Sequence, residues 1–323
     1  AVKYGKKGVI IQHGMQRRSD SGWREVMEWI KDKPLGKMLV SRGFCYKPRK
    51  SIGKVQEPKQ PPAEINYDLW SGPREILPVR RDRFHYDWHW QRQYGNGDIG
   101  NQGVHQMDIA RWMIPGARWP QSVVSIGGRF GYSDQGETAN TQLSIFDYGE
   151  SLLVFDVRGL SGKSNMGVTN KTYFDKNASQ KISKRYDMKG IRSPLSDRGK
   201  GDIFENFIHA VRSRKTEDLN AHVYEGHVSS GLCHLANVSY QLGEKQGFNK
   251  KTNAFGNNKK ASEYFERMKE HLKENGLKLE DTDYVVGRTL EFDSKTESIK
   301  GDDEANNLLT RNYRAPFVVP EKV

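Results

Sequence analysis

Two cysteines in 323 residues, Cys45 and Cys233, are too few and too far apart to form a disulfide framework or a cysteine-based metal site. Each reads as a buried free thiol. No apolar run is long enough to span a bilayer as a helix. There is no zinc-finger spacing, no RNP-like strand, no long basic helix and no internal repeat. The net charge of +12 therefore does not point to nucleic acid: the basic residues are scattered, as in Lys47-Pro-Arg49-Lys50, Arg80-Arg81 and Lys250-Lys251, in what read as polar loops. What the chain does have is 35% hydrophobic and 11% aromatic content, enough for the core of one large domain or two ordinary ones.

The opening AVKYGKKGVIIQHG reads as a helix end stopped at Gly5, then a buried strand over residues 8–13. A lone buried strand needs sheet neighbours, and these are expected upstream of Ala1. Ser19-Asp20-Ser21-Gly22 offers an N-cap for a helix with Trp23, Val26, Met27 and Ile30 on one face, ended by Pro34. A strand over 36–46 precedes a proline-rich loop over 47–63. Strands are expected at 121–132, 138–147 and 151–160, the last two joined by a hairpin turn at Asp147-Tyr148-Gly149-Glu150, with one or two more within 168–188. A helix capped by Asp202 and Glu205 would bury Ile203, Phe204, Phe207, Ile208 and Val211, and a second runs over 221–242. Residues 244–260 read as polar linker, 261–275 as a charged helix and the rest as irregular tail. Strands joined by hairpins and followed by helices predict an α+β fold, an open, mostly antiparallel sheet with helices on one face.

The stretch GNGDIGNQGVHQMD at 95–108 contains a G-x-G-x-x-G pattern, but the segment before it is polar and aromatic rather than an aliphatic strand, and no acid follows between Trp112 and Gly131. Gly95, Gly97 and Gly100 are expected instead to turn the chain into a helix over 101–114. On that helix Asn101, His105, Asp108 and Trp112 share one stripe. An imidazole so placed suits a general base near neutral pH, with Asp98 close by, but Asp98 or Asn101 could equally cap the helix while His105 and Asp108 form a surface pair. His85, Asp87, His89, His105 and Asp108 form a weaker metal-like set, and no metal is assigned. Tyr86, Trp88, Trp90 and Tyr94 suit a core or a wall for the apolar faces of sugars.

Several segments together resemble the Gfo/Idh/MocA family of NAD(P)-dependent oxidoreductases, especially its planctomycete-type bacterial branch. They are GVIIQHGMQRRSD, YDLWSGP, RFHYDWHWQRQYGNGDIGNQGVHQMDIARW, DIFENFIHAVRSRKTEDLNAHVYEGHVSSGLCHLANVSYQLG and GDDEANNLLTRNYRAPFVVP. The resemblance implies that residues 1–18 are the remnant of a dinucleotide-binding Rossmann domain and 19–323 an α+β substrate and oligomerisation domain. The glycine fingerprint, the ribose-binding acid and a Glu-Lys-Pro motif with a catalytic lysine would then lie before Ala1. It implies that His105 accepts a proton from a sugar hydroxyl, oriented by Asn101, which stands where the family has Asp. Asp98 is a candidate substitute carboxylate. Gln16 and Arg17 would face nicotinamide and substrate, with His85, Trp88 and Asp108 on the substrate.

The expected function is hydride transfer between NAD or NADP and a sugar, polyol or sugar derivative, in a homo-oligomer formed through the sheet face, with neither nucleic acid nor membrane as partner. Two alternatives stand beside it. One is a carbohydrate hydrolase or lyase using transient oxidation or a bound metal, which the Asn at 101 keeps open; the other is a non-catalytic sugar-binding or assembly module. The sugar, the choice between NAD and NADP, and location in the cytoplasm or the periplasm of a bacterium are not written in these residues.

Overall fold

A computed structural model of the chain describes residues 1–31, 36–162, 167–175, 202–256 and 258–320. Its helices are α1 (Val2–Gly5), α2 (Ser21–Lys31), α3 (Tyr67–Ser71), α4 (Gly97–Asn101), α5 (Gly103–Met113), α6 (Ile203–Ser213), α7 (Val223–Gln241), α8 (Lys259–Glu274) and α9 (Asp303–Asn307). Its strands are β1 (Met38–Tyr46), β2 (Ser122–Gly128), β3 (Thr141–Asp147), β4 (Leu152–Arg158), β5 (Val168–Phe174), β6 (Glu244–Gly247), β7 (Asp283–Val286), β8 (Leu290–Asp293) and β9 (Ser298–Ile299).

One mixed sheet organises the chain in the order β5-β1-β4-β3-β2-β7-β6, with β8 and β9 attached beside β2. All pairings are antiparallel except β1 with β4, where Val40 to Tyr46 run alongside Leu152 to Arg158 in parallel. The expected hairpin turn joins β3 to β4: Gly149 takes a φ of 80° and its N–H donates to the Asp147 carboxylate at 2.6 Å.

The strands explain where the helices go. On β4, Leu153, Phe155 and Val157 face the layer of α5 and α7, while Val154 faces the other way, together with Val124, Ile126, Leu143 and Ile145. Both faces are apolar, so both need a cover. Helix α8 supplies the second, seating Tyr264, Phe265, Met268 and Leu272 on it. The expectation of helices on one face is thus corrected. The face expected to carry an oligomer contact is occupied there by α8, whose charged sequence hides a buried stripe.

Other elements depart from the sequence reading for similar reasons. The supposed linker and tail contain β6 to β9 and α9, short pieces whose pattern is too brief to read. Residues 8–13 form no strand: Val9 is 44% exposed, and only Gln12 bridges, antiparallel, to His222. The segment at Ala221–His222 meets it at this one bridge, with His13 N–H donating to the Ala221 carbonyl at 2.9 Å. Helix α6 keeps its Asp202 cap, which accepts from the N–H groups of Phe204 and Glu205, but buries Ile203, Asn206 and Ala210 and leaves Phe204 73% exposed. Helix α2 starts as expected, with Asp20 accepting from Gly22 and Trp23, whereas Pro34 and residues 176–188 lie outside the described residues. Cys45 and Cys233 are buried free thiols that meet in one core, where burial pushes Cys45 up to about 12.

Candidate functional site

The glycine-rich stretch follows a 3-10 helix (Asp87–Trp90), not a strand. Gly97 takes a φ of 71°, a left-handed turn that swings the chain into α4. Helix α4 passes through Gln102, which is itself right-handed helical (φ −87°, ψ −38°), into α5. Asn101 and His105 therefore sit one turn apart on one stripe. The start of α5 lies tight on the sheet: a side chain at Gly103 would come within 3.0 Å of the Phe155 ring and 2.9 Å of the Asp98 carbonyl oxygen.

Both carboxylates expected at the site have other work. Asp98 is 1% exposed and accepts from Arg49 Nη2 at 2.7 Å and Nε at 3.0 Å, while Arg49 Nη1 donates to the Tyr86 hydroxyl at 2.8 Å. It is sealed from any substrate, so it is no substitute base, and Arg49 is no free loop cation. Asp108, also buried, accepts from Arg18 at 2.8 to 3.0 Å and from the Ser229 hydroxyl at 2.8 Å. Glu225 joins through Arg18 at 3.0 Å and Arg111, so two guanidinium and two carboxylate groups lock the segment before α2 to α5 and α7. Burial pushes Glu225 up, but Arg111, Arg18 and Arg118 outweigh it and hold its carboxyl below the usual range. Asp108 belongs to this lock rather than to a substrate subsite.

His105 is half-buried and looks toward the N-terminal segment. Burial lowers its pKa first, Arg17 and His13 lower it further, and Asp108 opposes them; the net direction is down from the ordinary value. The ring is neutral at pH 7 and free to accept a proton. Gln16 and Arg17 are exposed on the 3-10 helix Gln16–Ser19, with Arg17 3.6 Å from Asp20. His13 packs against Gly226, its Nδ1 buried without a partner.

Asn101 lines a cavity of about 670 Å³, and His105 is not among its walls. Trp88, stacked on His89 with ring centroids 3.8 Å apart, forms one wall; Trp70 and Tyr94, 4.7 Å apart edge to face, form another. His85 is exposed and outside the lining. The sequence reading missed Trp70, Arg74, Arg92, His234 and Arg311, which complete the walls. Trp70, Arg92, His234 and Arg311 lie in segments that carry the family resemblance, and Arg74 directly follows one of them; only their convergence was out of view.

Among the described residues no three His, Cys, Asp or Glu side chains converge as metal ligands: Asp87 is held by Arg83 at 2.6 Å, and His89 Nδ1 lies 2.6 Å from the Tyr86 carbonyl. A nicotinamide dinucleotide finds no fitting seat there either. The glycine turn is entered from a 3-10 helix, and the parallel pair β1 and β4 leads into loops at both ends. No described helix is long and apolar enough to cross a membrane.

No curated protein matches the chain. The WlbA dehydrogenase from Bordetella pertussis, in complex with NADH and UDP-GlcNAcA, aligns at 14% identity and a TM-score of 0.44, over 72% of this chain and 63% of that one. The myo-inositol dehydrogenase from Lactobacillus casei, in complex with NAD(H) and myo-inositol, aligns at 13% identity and 0.44, over 72% and 60%. The chain thus spans less than two thirds of these structures. Residues 25–146, from α2 through the Asn101–His105 stripe to β3, match the model of the oxidoreductase family's C-terminal alpha/beta domain, the domain of Gfo/Idh/MocA proteins.

Proposed function

We propose that this chain is the substrate-binding part of a Gfo/Idh/MocA oxidoreductase of the planctomycete-type branch, acting on a sugar, polyol or sugar derivative. The observation that carries the reading is the stripe on α4 and α5, where Asn101 lines a cavity walled by aromatic rings and His105, one turn on, is held neutral. The carboxamide of Asn101 can hydrogen-bond one sugar hydroxyl in the cavity, and His105, on the N-terminal side, can take the proton of a hydroxyl on a substrate that reaches past Asn101. Trp88, Trp70 and Tyr94 offer flat faces to a pyranose or cyclitol ring. An NAD-type cofactor belongs to the same reading, held by a dinucleotide-binding domain of which residues 1–18 are the last part. That domain would cover the exposed Tyr4, Val9, Phe204 and Ile208, with Gln16 and Arg17 at its edge.

The test is turnover on neutral and charged sugars with NAD or NADP, following nicotinamide reduction. His105→Ala is expected to lower kcat by about a hundredfold or more with a small change in KM. Cleavage of a glycoside or elimination without net reduction of the nicotinamide would replace simple dehydrogenation by transient oxidation. Unchanged turnover in His105→Ala would sink the catalytic reading in favour of a binding module.

A further inference from the structure

Four arginines buried in the core are matched by carboxylates: Arg18 by Asp108, Arg42 and Arg158 by Asp156, Arg111 by Glu225. The cavity beside Asn101 is different. Arg74, Arg92 and Arg311 all line it, no carboxylate does, and among the described residues none of the three forms an ion pair. Arg92 is held by its Nε donating to the Glu137 carbonyl at 3.1 Å and by its backbone N–H donating to the Glu137 carboxylate at 2.6 Å, and its terminal nitrogens make no ion pair among the described residues. Arg74 has its Nε buried without a partner, and burial together with the nearby Arg311 lowers its pKa despite a weaker pull from Tyr94 and exposed Glu75. Behind the wall Arg81, 2% exposed, lies under Trp70 at 4.5 Å with no carboxylate of its own.

The positive charges are held together on purpose-built contacts. Arg314 Nη1 meets Asp68 at 2.7 Å, and its Nε and Nη2 donate to the carbonyls of Arg74 and Gly72 at 2.8 Å. This clamp fixes the C-terminal segment against α3, brings Arg311 to Arg74, and uses up Asp68, the nearby acid that could have neutralised them. Guanidinium groups gathered without counter-charge repel one another, and the arrangement is stabilised when an anion enters. His234, its pKa lowered by burial and by Arg311, adds a ring nitrogen to the walls.

We propose that the cavity is an anion subsite and that the substrate is an acidic carbohydrate, with a carboxylate or phosphoryl group against Arg74, Arg92 and Arg311 while its ring reaches Asn101. This rests on the substrate-cavity reading above but not on redox chemistry. The test is calorimetric titration of the full chain with glucuronate, glucose 6-phosphate, uncharged glucose and inorganic phosphate. One acidic sugar is expected to bind at least about tenfold tighter than glucose, and Arg311→Gln and Arg74→Gln each to weaken it about tenfold while leaving glucose unchanged. Arg74→Lys, which keeps the charge, restores part of the loss. The better of glucuronate and glucose 6-phosphate tells carboxylate from phosphoryl. Equal binding of glucose and both acids, equal weakening of all probes by Arg311→Gln, or inorganic phosphate binding as tightly as the sugar phosphate would each overturn the proposal. Tight acid binding by the chain, with no nicotinamide reduction when the protein also carries its dinucleotide-binding domain, would leave it standing and reject the oxidoreductase reading instead.

Discussion

Two clusters of arginine lie near α4 and α5 and have opposite chemistry. In one, Arg18 and Arg111 are closed over Asp108, Glu225 and Ser229, with little capacity left to bind anything. In the other, Arg74, Arg92 and Arg311 face a cavity without a carboxylate. A buried charge that is fully paired holds parts of a fold together, whereas charges gathered unpaired at a cavity cost stability and earn their place only through a ligand.

Breaking the closed cluster has the largest expected effect. Asp108→Asn leaves two buried guanidinium groups with Glu225 as their one carboxylate and should cost about 3–5 kcal/mol of stability, read from denaturant midpoints; a loss below about 1 kcal/mol would mean that Glu225 alone holds the cluster. Acid separates the paired and unpaired groups next. His271 sits against the sheet with a pKa lowered to about 4 by burial and by Arg158, so it is neutral in the fold at a pH where the unfolded chain is protonated. Stability is complete above pH 6.5 and falls as pH drops from 6.5 toward 4. Asp134 resists its own burial through Arg129 and the N–H groups of Ile52 and Gly136, with a pKa near 2; its share is present above 3.8 and lost between 3.8 and 2. His271→Leu should flatten the upper window only, as seen in denaturation at a series of pH values.

A smaller effect concerns His105. With Arg17 replaced by Gln, one of the charges lowering its pKa is gone, so the acid limb of kcat/KM should move up in pH, by less than about half a unit because Arg17 is exposed. A shift downward would contradict the assigned neighbour. The smallest stability change is expected at the open cluster: Arg311→Gln should alter unfolding by no more than about 0.5 kcal/mol even as it weakens acid binding. A large stability loss there would erase the contrast between the two clusters.

The sequence showed the elements whose signals are local. The Asp20 and Asp202 caps, the turn at Gly149 and the stripe of Asn101 and His105 each need only a few neighbouring residues to be read. It misled where a pattern says that a face is apolar but not what covers it: Phe204 and Ile208 read as core and are exposed, and α8 reads as surface and is half core. The cavity was unreadable for another reason. Trp70, Arg92, His234 and Arg311 are brought together by sheet order and by the Arg314 clamp, and nothing in the spacing of residues hundreds of positions apart encodes that meeting. Asp98 and Asp108 were named for sharing a segment with His105, whereas their directions are set by Arg49 and Arg18.

The Arg314 clamp also bears on synthesis. A chain emerging from the ribosome acquires the aromatic wall and His105 early, and the parallel pairing of β1 must wait for β4. Arg311 and its clamp arrive within the last residues described. A product clipped or stalled before residue 311 could fold its sheet and keep its proton acceptor while lacking the final positive charge of the cavity. The chain as far as Arg314 is therefore needed before the proposed anion subsite is complete.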